Sequence, residues 1–262
     1  MTPRWKVPAL CAALLALAVA VVVAFAVTPV SVSLSAPPKA PPQRGFTLRY
    51  ETPDPADEDH AALLHARGPA ERAVEALNAY IDLPERVTVL ARSCSGEGAG
   101  YDPAARRIEL CYDDLAEDRE LLGDDAAAAD VAAETVYHEA GHALVEALGL
   151  PVASDRAEED TADAFAAFML IREGPQGERA LLAAAEAYGL APPPGPGPDE
   201  HAPPAERAAA HLCLLYGAAP ERHPGLAART RGCAPDWPTV RDAWTRDLKP
   251  LLRTPGPGPA SG

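Results

Sequence analysis

The sequence predicts an α+β domain, mainly helical, in which a small sheet precedes one long buried helix. Three observations carry that reading. Two short runs, Arg86-Val87-Thr88-Val89-Leu90-Ala91 and Arg107-Ile108-Glu109-Leu110-Cys111-Tyr112, read as strands, joined by the glycine-rich stretch from Gly96 to Tyr101 and an Asp102-Pro103 turn. From Ala126 to Leu148, good helix formers carry apolar residues at Val131, Val136, Leu144, Val145 and Leu148, on more than one helix face, before a stop at Gly149 and Pro151. The segments Pro69 to Tyr80, Asp113 to Leu122, Arg179 to Tyr188 and Ala205 to Leu215 also have helical spacing.

In chain order, residues 1–36 read as a targeting segment. Arg4 and Lys6 precede an almost unbroken apolar run from Val7 to Val27, the pattern of an export signal. About 20 apolar residues also suffice to span a bilayer. Ala24-Phe25-Ala26 offers an A-x-A cleavage site, so a cleaved signal peptide and an uncleaved N-terminal anchor both fit. Either fate puts the rest of the chain outside the cytoplasm, secreted or anchored by this segment. Residues 37–44 form a proline-rich spacer, residues 45–253 a single domain, and residues 254–262, with their Pro-Gly alternation, a disordered tail. A further proline-rich stretch from Ala191 to Pro204 interrupts the domain and is long enough to border a cleft. Outside the apolar segment, which holds Cys11, the cysteines fall into two local pairs, Cys94 with Cys111 and Cys213 with Cys233. Export and short separations together predict two local disulfides.

The long helix contains His138-Glu139-Ala140-Gly141-His142. This H-E-x-x-H spacing sets two imidazoles one turn apart on one face, where both can reach a single zinc ion, with a carboxylate placed to act on a metal-bound water. Gly141 costs about 1 kcal/mol of helix propensity relative to alanine, and its small size lets another backbone come close beside the metal. A catalytic zinc site normally has three protein ligands. The next helical segment, from Ser154 to Leu170, opens with a D-x-x-E capping signal and carries Glu159 and Asp163 four residues apart. Glu159 can ligate the ion while Asp163 accepts the free N–H of a ligating imidazole, the arrangement of the gluzincin metallopeptidases. Asp160, Asp163, His201 and His211 remain alternative third ligands. A small sheet ahead of a buried zinc helix is a zincin-like layout.

The run from Tyr137-His138-Glu139 through Leu150-Pro151 to Glu158-Glu159-Asp160 and Asp163, then Asp199-Glu200-His201, Glu206-Arg207 and Cys213-Leu214-Leu215-Tyr216-Gly217, resembles a family of exported bacterial proteins. That family is catalogued as metallopeptidases on the strength of the motif and is of otherwise unknown function. The resemblance spans about residues 45 to 250 and implies a zinc peptidase without naming a substrate. The string His138 to Leu144 also resembles the membrane-bound AAA-type proteases, but the chain has no Walker lysine motif.

The net charge of −15 argues against nucleic acid or anionic lipid as a partner. Neither a phosphate-binding glycine loop nor a G-x-S-x-G elbow occurs. The expected function is hydrolysis of a peptide bond in a peptide or protein substrate, with Zn2+ held by His138, His142 and Glu159, Glu139 as general base, and His201 or Tyr216 as oxyanion donor. Two other readings use the same residues. One is an extracytoplasmic zinc-containing binding or scaffold module that cuts nothing, and the other is an amidase acting on cell-wall peptides.

Overall fold

The structure is a computed structural model and describes residues 44–192, 201–233 and 236–253. The expected signal or anchor, nearly all of the proline-rich spacer, most of the Ala191 to Pro204 loop and the tail lie outside the described residues. Among the described residues no helix is long and apolar enough to cross a membrane.

Four strands form one mixed sheet in the order β1-β2-β4-β3: β1 Gly45–Tyr50, β2 Arg86–Arg92, β3 Gly100–Asp102 and β4 Arg107–Cys111. In β2, Val87, Val89 and Ala91 alternate with less buried residues, the period of a strand with one face on a core. Between β1 and β2 run helices α1 Glu58–Arg67 and α2 Pro69–Tyr80; this crossover lets β1 pair parallel to β2, with Phe46 opposite Val87. The two strands expected from sequence are neighbours, but β2 and β4 are parallel, and the connecting stretch folds into β3 along the outer side of β4, antiparallel to it. A tight turn between β2 and β4 would have reversed the chain, so the parallel pairing needs the longer excursion through Gly100.

After the sheet come α3 Tyr112–Leu122, α4 Asp125–Leu148, α5 Asp155–Arg172, α6 Pro175–Leu190, α7 Pro204–Ala218 and α8 Trp237–Asp247. Local chemistry sets their ends. The Asp124 carboxylate accepts from the Ala126 and Ala127 amides at the start of α4, and Gly149 closes it in a left-handed conformation. The cap of α5 is Ser154, whose hydroxyl accepts from the Ala157 amide, rather than the expected Asp155. The core joins Phe46, Val89 and Ile108 of the sheet to Leu77, Val136, Leu144, Phe165 and Leu170 of the helices. Both expected disulfides are present: Cys94 with Cys111, tying the ends of β2 and β4, and Cys213 with Cys233.

Helices α4 and α5 cross closely at Gly141. A methyl group there would lie 2.8 Å from the Cα of Ala162 and 3.2 Å from its Cβ, so only glycine fits without moving a backbone. Gly141→Ala should therefore destabilise the domain by about 1–3 kcal/mol through overpacking, even though alanine is the better helix former by about 1 kcal/mol. Gly189→Ala in α6, where nothing lies within 4 Å of the added methyl, is the control and should be neutral or slightly stabilising. Urea unfolding of both variants measures the contrast. A Gly141→Ala protein as stable as the parent would mean the two helices separate freely.

Candidate metal centre

The crossing brings the polar faces of α4 and α5 together. His138, Gly141 and His142 lie on one face of α4, and Glu159, Ala162 and Asp163 on one face of α5. His138 is buried, and its Nδ1–H donates to the Asp163 carboxylate at 2.8 Å. His142 presents Nδ1 to the Glu158 carboxylate at 3.0 Å. With both Nδ1 atoms engaged, the Nε2 atoms face each other, 3.3 Å apart. The Glu159 carboxylate joins them, with Oε2 at 3.1 Å from Nε2 of His138 and Oε1 at 3.4 Å from Nε2 of His142. His201 supplies a third imidazole, its Nε2 at 2.9 Å from Glu159 Oε2. One ligand atom each from His138, Glu159 and His201 lies within 4.8 Å of the others.

Ion-pair chemistry holds this cluster together. Burial raises the Glu159 carboxyl, but bonds from His138, His142 and His201 outweigh it and hold the group well below the usual carboxylate range. Asp163 behaves alike: burial opposes its charge, and His138 and Arg207 overcome that. Burial disfavours a charged His138 ring, yet the Asp163 and Glu159 carboxylates push it up to about 10. His142 is raised for the same reason, with burial opposing and Glu159 prevailing. Glu139 is 6 % exposed, and burial pushes its carboxyl up while the two imidazoles pull it down. A cleft of about 360 Å3 opens here, lined by Glu139, His142, Glu159 and His201 and by Gly100 and Tyr101 of β3.

Sequence reading missed Arg207. Its guanidinium grips Asp163 with two bonds, Nε to Oδ2 at 2.9 Å and Nη2 to Oδ1 at 2.5 Å, and stacks on the Tyr188 ring. Forty-four positions separate Arg207 from Asp163, and no spacing rule connects them; its only signal is its place in the Glu206-Arg207 pair. Glu158 as the partner of His142 was also missed. Of the alternative third ligands, His201 joins the cluster and Asp163 sits on the far nitrogen of His138, while the other two fall elsewhere. Asp160 is exposed and paired with Arg156. His211 is fully buried 2.9 Å from Glu134, away from the paired imidazoles. Tyr216 does not line the cleft.

A cation among these imidazoles must displace their protons. The Asp163 and Glu159 carboxylates favour the protonated His138 ring well above the usual imidazole range, so near neutral pH a binding cation expels a proton. Affinity should fall as pH falls, by about tenfold per unit for each proton displaced. Zinc competition titrations between about pH 6 and pH 8 check this. A pH-independent affinity would contradict the electrostatics of the cluster.

Among curated proteins and among solved structures, none matches the chain. A family model does, over residues 50–248, which contain every described residue of the centre. The chain belongs to that family, DUF4344, whose description is "Putative metallopeptidase".

Proposed function

We propose that the protein is an exported, zinc-dependent peptidase of zincin-like architecture, in which His138, His142 and Glu159 hold the ion and Glu139 is the general base. The observation that carries this reading is the convergence of two imidazole nitrogens, 3.3 Å apart, on one carboxylate, whose Oε2 lies 3.1 Å from His138 and whose Oε1 lies 3.4 Å from His142. Donors on a tetrahedron about 2.0–2.1 Å from zinc stand about 3.3 Å apart. Two imidazoles and a carboxylate are the donors that a catalytic zinc takes, and each imidazole has its far nitrogen on a carboxylate, as ligating histidines do. Zinc held there supplies Lewis-acid polarisation and makes water nucleophilic near neutral pH.

The chain's own residues do the rest. Glu139, its basicity raised by burial, can accept the proton of the attacking water and return it to the leaving nitrogen. Asp163 and Glu158 fix which nitrogen each imidazole presents. β3 ends the sheet, so among the described residues its outer edge carries backbone groups without a strand partner. An extended peptide can add to that edge beside Glu139. Two disulfides fit an oxidising compartment and agree with the export signal read at the N-terminus.

One observation favours the second reading, a closed zinc site in a binding module. His201 stands beside Glu159, and a fourth protein ligand would take the position that a catalytic site leaves to water. Zinc content measured beside peptide turnover separates the two. Under the peptidase reading, His201→Ala and Glu139→Gln keep the metal and lose activity, Glu139→Gln by 100-fold or more, on the order of a positioned general base. Glu159→Gln loosens the metal, and excess zinc partly restores turnover. Loss of zinc from His201→Ala, together with no cleavage by the parent, would establish the closed site instead.

A further inference from the structure

A second cleft, of about 440 Å3, lies between α5, α7 and the segment leading to Cys233. In a chain of net charge −15, this cleft has more guanidinium groups than carboxylates: Arg156, Arg207, Arg229 and Arg231 against Asp160, Asp163 and Glu206. All three carboxylates are taken. Arg156 reaches Asp160 and Glu206, each at 3.1 Å, and Arg207 clamps Asp163. Arg229 and Arg231 are exposed, with no ionic partner among the described residues.

Their backbone is nonetheless fixed. Thr230 between them is buried, with its hydroxyl donating to the Leu226 carbonyl at 3.0 Å. Two residues beyond Arg231, the Cys213–Cys233 disulfide ties the segment to α7. The cleft is also lined by His211, 0 % exposed, whose Nε2 is held by Glu134 while Nδ1 has no hydrogen-bond partner. Buried polar atoms rarely lack a partner, so the wall of the cleft beside the arginines is not fully satisfied by the protein's own groups.

We propose that this cleft is an anion-binding site for a phosphoryl or carboxylate group, gripped by Arg229 and Arg231. Guanidinium forks match the paired oxygens of either group. The surrounding negative field repels large polyanions, so the occupant is a small anion or a single anionic group on a longer molecule. The inference does not rest on the peptidase reading, because it uses neither Glu139 nor the metal.

The test is calorimetric titration of the zinc-loaded full chain at a fixed chloride concentration of about 0.15 M, which holds screening constant. Inorganic phosphate and succinate are titrated separately, and the one that saturates identifies the source as phosphoryl or carboxylate. Saturation is expected below about 10 mM, weakened at least about tenfold in the Arg229→Ala, Arg231→Ala double variant. A His138→Ala, His142→Ala variant should bind the same anion unchanged, since an anion sitting on the metal would be lost there. Absence of saturation by either anion, or binding that survives removal of both arginines, overturns the proposal.

Discussion

The contact between Gly141 and Ala162 governs how the rest of the molecule is arranged. Each sits between two polar residues on its own helix: Gly141 between His138 and His142, Ala162 between Glu159 and Asp163. A small residue at both positions lets the helix backbones approach until imidazoles and carboxylates reach hydrogen-bonding distance, 2.8 Å for His138 and Asp163. A side chain at position 141 would push the polar faces apart by the same displacement that relieved its clash with the Ala162 backbone. Packing and chemistry are therefore one constraint here, and the helix propensity lost at glycine is the cost of meeting it.

Close approach would be ruinous without charge matching, because an unpaired buried ion is far more costly than a missing contact. The chain meets this by alternating sign through the interior. Arg207 faces Asp163, Asp163 faces His138, His138 faces Glu159, and Glu159 faces His142 and His201. A second group of possible metal ligands, Glu134, Asp163 and His211, is also within ligand reach of itself. The protein already supplies the hydrogen-bonding partners there, since Arg207 occupies Asp163 and His211 occupies Glu134, with the Tyr188 hydroxyl donating to the same Glu134 carboxylate. What distinguishes the two clusters is the pair of imidazole nitrogens turned toward one point in the first.

Much of this was legible in the sequence because it is periodic. The span of α4, the facing of His138 with His142, and Glu159 with Asp163 on one face of the following helix all follow from a 3.6-residue repeat. The two disulfides follow from the short separations within each cysteine pair. Strand direction was not legible: β2 and β4 alternate correctly, yet their parallel pairing depends on β3, three residues whose glycine and proline surroundings read as a turn. β1, α1 and α8 were overlooked for a related reason. In α1 only Ala61 and Leu64 are buried, too few to print a pattern, and α8 starts at Trp237-Pro238 after a proline-rich approach. Arg207 was beyond reach because its partners lie on other helices.

The acidic run at the start of α5 shows how far composition alone falls short of function. Glu158, Glu159 and Asp160 are consecutive and chemically alike, and each helical step turns the side chain by about 100°. That rotation assigns three fates. Glu158 reaches the outer nitrogen of His142, Glu159 enters the cluster of imidazoles, and Asp160 turns outward to Arg156. Ser154 caps this helix, and a one-residue shift of register would turn a different carboxylate toward the imidazoles. Which carboxylate joins the imidazoles is in this sense decided by the register of the helix rather than by composition.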